Sequence, residues 1–258
     1  MSSKIDKEML KNPDVFVSTS DHIFNYIERH FKTVLTVVAV IVVGGVGYVG
    51  VGYMNTRKEL KAAEALYVPE AALRKAETSL SEAKAKALTL DSKKPAVPPQ
   101  VEDFGKDYAP SVEQIKTVIK ANDQTRAALV SALSLSAFLL QQKQYTAALD
   151  VLQLVKVDVS TSDLLGGFWY MQRGVVLMEN GQADPAIEAY DKILKSDSLK
   201  AFHPEALLKM GVCREMKGDA GKAREVYERL GREFPETEAA QHAQQYLRLM
   251  QMKTPQQG

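Results

Sequence analysis

The residues best able to do chemistry in this sequence are one thiol, Cys213, and four imidazoles, His22, His30, His203 and His242. A thiol nucleophile needs a base within hydrogen-bond reach, and a metal site needs ligands at short, regular spacing. No histidine stands at such a spacing from another or from Cys213, so no metal site is expected and Cys213 reads as a packing thiol. A lone cysteine also excludes an intrachain disulfide. Gly44-Gly45 falls inside an apolar run and Gly166-Gly167 in a turn, so neither glycine pair reads as a phosphate-cradling loop. With no nucleophile, base and orienting group in a recognisable pattern, the expectation is a protein without catalytic residues or cofactor.

Chemistry of contact is what remains, and the elements that would present it can be read from charge and hydropathy. Basic and acidic side chains nearly cancel, at 33 against 32, so no field favours nucleic acid as the partner. From Thr33 to Met54 the sequence TVLTVVAVIVVGGVGYVGVGYM carries no charge, and as a helix it would span about 33 Å, the thickness of a bilayer core. Tyr48 and Tyr53 near one end, with Arg29 and Lys32 before the other, are residue types found where a helix meets lipid headgroups. The reading is a leader over 1–32 and an uncleaved membrane-inserted helix over 33–54, because mixed-charge residues rather than a short basic leader precede the run. Arg57, Lys58 and Lys61 on the far side balance Arg29 and Lys32, so charge does not decide which side the remainder faces.

Residues 55–90 are rich in Ala, Glu, Lys and Leu, which predicts a charged helical stalk that is continuous or restarts at Pro69. Leu66, Leu73, Leu80 and Ala87 recur every seven residues, a narrow seam that suits either a second copy of the chain or the chain's own later helices. Self-association through this stalk or through the membrane helix is therefore left open. Residues 91–110 hold four of the ten prolines and read as a linker separating the stalk from the C-terminal part of the chain. Ser111 with Gln114 three residues later would box the start of the next helix.

Over 111–252 the chain repeats itself. Ser136, Gly174 and Gly211 are 38 and then 37 residues apart; twelve residues after each stands Ala148, Ala186 or Ala223, and sixteen after each Leu152, Tyr190 or Tyr227. Lys143, Gly181 and Gly218 mark the turns between paired helices, seven residues on. Small residues at fixed spacing are needed where two helices of a hairpin approach closely, so the pattern has a packing cause. Asp184 before Pro185 and His203 before Pro204 read as helix starts. The expected repeats are 129–165, 167–202 and 204–236, with a capping helix over 237–252.

These stretches resemble the tetratricopeptide repeat family, most closely in PEALLKMGVCREMKGDAGKAREVYERLGREFP, where Leu207, Gly211, Ala223, Tyr227 and Pro235 fall at hallmark positions while Arg214 and Leu230 depart from them. The second repeat matches at Tyr170, Gly174, Ala186 and Tyr190 but has Ser198 for the closing proline, and the first has Ser136 and Tyr145 without a turn glycine. The resemblance implies an all-α fold, a helical-hairpin solenoid whose inner helices line a protein-binding groove. Carried over by position, that groove is Val130, Leu133, Ala137, Leu140, Phe168, Met171, Val175, Met178, Leu208, Val212 and Met216. It is apolar and rich in methionine, which suits adaptable binding of apolar peptide segments.

The leader LKNPDVF ahead of FNYIERHFKTVLTVV, followed by anchor, linker and degenerate repeats, is similar in layout to the ancillary SecYEG translocon subunit family. That resemblance implies a single-pass protein of the bacterial inner membrane with its repeats in the periplasm. Translocon subunits and exported chains would be its partners, and transient holding of apolar segments its task. The alternative is a scaffold docking one defined envelope or division complex.

Overall fold

The computed structural model describes residues 31–89, 104–156, 159–161 and 163–253, and every regular element among them is helical. Nearly all of the expected leader, and residues 91–103 of the expected linker, lie outside the described residues. The chain divides into two compact units, Met1–Arg57 and Lys58–Gly258, and the first helix, α1 (Phe31–Thr89), contributes to both.

In the first unit, Val40, Val43, Val46, Tyr48, Val49 and Met54 are all exposed. At its end the Arg57 guanidinium lies 5.0 Å above the Tyr53 ring, and its Nε donates to the Tyr53 hydroxyl at 2.8 Å. Among the described residues no helix is long and apolar enough to cross a membrane. Most side chains at the start of the apolar run, 33–35 and 37–39, are not among those described.

The second unit is a series of antiparallel hairpins. After the rest of α1 come α2 (Phe104–Asp107), α3 (Ala109–Ala121), α4 (Arg126–Gln141), α5 (Tyr145–Gln153), α6 (Leu164–Glu179) and α7 (Ala183–Leu194). A 3-10 turn (Asp197–Phe202) then leads to α8 (His203–Met216), α9 (Ala220–Glu233) and α10 (Glu238–Lys253). The hairpins α4–α5, α6–α7 and α8–α9 close on the small residues singled out by spacing. A Cβ added to Gly174 would lie 2.4 Å from Cε1 of Tyr190, and one added to Gly211 2.2 Å from Cε1 of Tyr227. The outer-helix ring rests on inner-helix backbone, and Ser136 holds the corresponding place, fully buried, in the first hairpin. The hairpin turns put Gly181 and Gly218 at φ 75° and Lys143 at φ 58°. That left-handed region suits glycine and strains a lysine.

The helix ends differ from the sequence expectation. α3 starts ahead of Ser111, with Tyr108 as its N-cap and no side-chain cap bond. Pro110 supplies the fixed φ of a first turn, and Tyr108 is held by an edge-on contact with Phe138, ring centroids 5.0 Å apart. Gln182 rather than Asp184 caps α7, and His203 is the buried first residue of α8 instead of a cap. Its Nε2 lies 3.1 Å from the Ile193 carbonyl and 3.0 Å from that of Ser196. Side-chain caps are made by Thr125, whose hydroxyl accepts from Ala128 N at 3.1 Å, by Asp163, whose carboxylate accepts from Gly166 N at 2.9 Å, and by Thr237, whose hydroxyl accepts from Ala240 N at 3.3 Å.

Of the two placements open to the stalk, the structure has the one within the chain: Ala62, Leu66 and Leu73 are buried, and the two leucines belong to one core cluster with Ile115, Leu135 and Phe138. Pro69 lies within the helix and does not restart it. Two carboxylates tie the stalk to α4. Glu59 accepts from Arg126 N at 2.9 Å and Ala127 N at 3.0 Å, completing with Thr125 the cap of that helix, and Glu70 accepts from the buried Ser131 hydroxyl at 2.6 Å. A carboxylate there also complements the positive end of the helix dipole. The leucine seam is thus consumed within the chain, which removes the Leu66 and Leu73 face as a route to self-association.

The repeat register accounts for the place the stalk occupies. In α6, Trp169 Nε1 donates back to the Leu152 carbonyl at 3.2 Å and Gln172 to the Ser136 hydroxyl at 3.4 Å, so these two positions face the preceding hairpin. Their counterparts 38 residues earlier, Ser131 and Ser134, line a cleft of about 130 Å³ against Glu70, Leu73 and Arg74 of the stalk. The stalk therefore covers the α4 positions that correspond to those α6 turns toward its preceding hairpin.

If the stalk carries part of the core, Leu73→Ala should lower unfolding stability by about 2–4 kcal/mol and Glu59→Ala by about 0.5–2 kcal/mol in urea titrations of the full chain. Unchanged midpoints for both would mean an undocked stalk. Lys143→Gly should raise stability by up to about 1 kcal/mol by relieving the left-handed lysine, and a loss would show that φ is not the limiting strain.

Candidate functional site

The residues proposed for a groove come from α4, α6 and α8, the inner helices, which lie side by side along the unit. Their environments separate into three groups. Val130, Phe168 and Met216 are about half exposed, at 48%, 53% and 51%. Leu133, Ala137, Leu140, Met171, Val175 and Val212 are partly buried. Met178 and Leu208 are each only 7% exposed and belong to the core.

The last two owe their burial to neighbouring elements. Leu208 joins Tyr227, Ala239, Ala240 and Ala243 in one cluster because α10 packs against both α8 and α9. Met178 joins Ile187, Tyr190 and Met210, drawn in between the second and third hairpins. Position along one helix takes no account of the element lying over it.

Exposed apolar surface also appears outside the positions carried over from the family. Leu164, at the first turn of α6, is exposed and stands four residues before Phe168 on the same helix face. Phe168 is steadied edge-on by Phe202, ring centroids 5.1 Å apart. The i, i+4 spacing of two large apolar residues was the available signal for Leu164. Gly167, beside Phe168, has no room for a Cβ, which would fall 2.6 Å from Cε2 of Phe202. Ion pairs join successive hairpins: Arg126 to Asp163 at 2.9 Å, and Lys217 to Asp184.

Cys213 and the two hairpin tyrosines are accounted for by packing. Cys213 is fully buried on α8, and burial pushes its thiol up to about 11. Burial likewise raises the Tyr190 and Tyr227 phenols, the latter helped by the Glu215 carboxylate that accepts its hydrogen bond at 2.6 Å. Among the described residues no three His, Cys, Asp or Glu side chains gather as metal ligands.

A family model described as a tetratricopeptide repeat-like domain matches residues 25–214, and a second, described as a tetratricopeptide repeat, matches residues 205–237. The first covers most of the chain, and the chain belongs to that tetratricopeptide repeat-like family. Its match includes the stalk, in keeping with a stalk that is part of the repeat domain. No curated protein matches the sequence closely enough to count as a relative. Repeats of this kind are protein-interaction modules, typically without enzymatic activity.

Iodoacetamide should modify Cys213 very slowly in the folded protein at neutral pH, with labelling rising in step with unfolding as urea is added. Rapid native labelling would place the thiol in an open environment that this packing does not allow.

Proposed function

We propose that this protein is tethered to a membrane by residues 33–54 and uses the inner-helix face of its repeats to hold apolar polypeptide segments near that membrane. The observation that carries the binding part is the exposure of the large apolar side chains Val130, Leu164, Phe168 and Met216 on the inner helices. Side chains of this kind on an interaction fold mark a docking surface better than scattered surface leucines do.

Support for the tether is the uncharged run itself, together with the exposure of its described valines from Val40 to Val51. A helix apolar on every side needs an apolar surround, and a bilayer supplies one. Tyr53 at the end of the run and Arg57 just past it combine an aromatic ring with a cation as residues at a headgroup layer do. A tether raises the effective concentration of the binding face for chains emerging beside it without any new contact. The resemblance in layout to ancillary SecYEG translocon subunits extends this reading to a periplasmic holding role at the bacterial inner membrane.

Photo-crosslinking from Phe168 and from Met171 in intact cells, with captured proteins identified by mass spectrometry, tests the proposal. Diverse exported chains together with translocon subunits are the expected catch. One defined envelope complex would replace the holding role with that of a scaffold. Crosslinks confined to this chain would remove the groove altogether.

A further inference from the structure

Tyr190 is fully buried, and its hydroxyl has no hydrogen-bond partner among the described residues. Buried hydroxyls are nearly always paired, and an unpaired one calls for a reason. The next repeat shows what is missing. Tyr227 rests on Gly211 as Tyr190 rests on Gly174, and its hydroxyl donates to Glu215 at 2.6 Å. Glu215 stands 37 residues after Met178, so at Tyr190 a thioether occupies the acceptor's place. Thioether sulfur accepts weakly, but its side chain is flexible and rearranges readily. Met178 is 7% exposed and packs in the same cluster as Tyr190, with Met171 partly buried against that cluster.

We propose that an extended apolar segment seated on Phe168 and Met171 turns the Met178 side chain aside and presents a backbone carbonyl to the Tyr190 hydroxyl. This rests on the groove reading above and specifies the conformation of what the groove takes. Carbonyls inside a helix are already bonded along the helix, whereas an extended chain has them free. Glu205 and Glu179 add negative potential around the phenol, which favours a neutral carbonyl over a carboxylate as the incoming acceptor. The methionine acts as a plug, exchanging its own contacts for those of the ligand.

The test uses the purified full-length chain and a fluorescein-labelled peptide of alternating valine and threonine, which favours extended backbone. Binding is followed by anisotropy and folding by thermal melts, for the parent and for Tyr190→Phe, Met178→Gln and Phe168→Ala. Tyr190→Phe is expected to weaken binding about 3- to 10-fold, the range for one neutral hydrogen bond, while Tm holds or rises because an unpaired group has been removed. Met178→Gln supplies an internal amide acceptor, and is expected to raise Tm and weaken binding. If Phe168→Ala weakens binding but Tyr190→Phe and Met178→Gln leave it unchanged, the carbonyl subsite is wrong and the groove stands. If Phe168→Ala also has no effect on a peptide that binds, the groove reading fails as well. A parent chain that does not bind the extended peptide at all overturns the carbonyl subsite outright.

Discussion

In two of the three C-terminal hairpins the inner helix gives up a side chain so that a tyrosine ring of the outer helix can lie on its backbone. Gly174 beneath Tyr190 and Gly211 beneath Tyr227 leave no space for a methyl group. Close-packed interiors do not yield to an added atom without moving something. This approach sets the distance between paired helices, and with it the register in which hairpins stack. Burial of the two rings is one consequence, and the fate of their hydroxyls is another. One meets Glu215; the other meets a position held by methionine and has no partner among the described residues. A repeat architecture thus carries the same ring into two chemically different surroundings, and the difference of a single inner-helix residue decides which phenol has a partner.

Stacking alone leaves the first hairpin with an uncovered side. The stalk and α3 cover it, and they do so with mixed chemistry. Leucines enter the core while Glu59 and Glu70 take up polar groups that α4 would otherwise leave unpaired. Backbone N–H groups at a helix N-terminus have no intrahelical acceptor, so a carboxylate arriving from far away in sequence substitutes for a local capping box. At the other end α10 plays a similar part over α8 and α9, burying Leu208 while leaving Tyr246, Leu249 and Met252 exposed. The repeats are thereby covered at one end by a helix that also contributes to the first unit, and at the other by a helix near the chain's C-terminus.

Periodicity along one helix separates a face from its opposite but does not say which neighbour the face will meet. The groove positions illustrate this. Val130, Phe168 and Met216 stay open, while Met178 and Leu208, chosen by the same rule, are drawn into clusters with other hairpins. Leu164, next to Phe168 on the helix surface, falls outside that rule because it precedes the repeat as counted by spacing. Helix starts behave likewise: Asp184 and His203 have the right type beside a proline, yet Gln182 caps one helix and a 3-10 turn feeds the other.

By itself the sequence determined the helical-hairpin class and the register of the repeats. Those depend on local spacing, small residue against large, and spacing survives in a linear string. It also determined that an uncharged 22-residue run precedes the repeats, which is a property of composition alone. Only the tertiary structure decided that the leucine seam of the stalk is filled by the chain's own α3 and α4, that Glu59 caps a helix 67 residues away, and that Tyr190 lacks, among the described residues, a partner such as Tyr227 has. Each of these depends on which surfaces meet across long sequence separations. A seven-residue repeat describes a sticky stripe equally well whether its occupant is another copy or the same chain, and the choice is made by the geometry of packing.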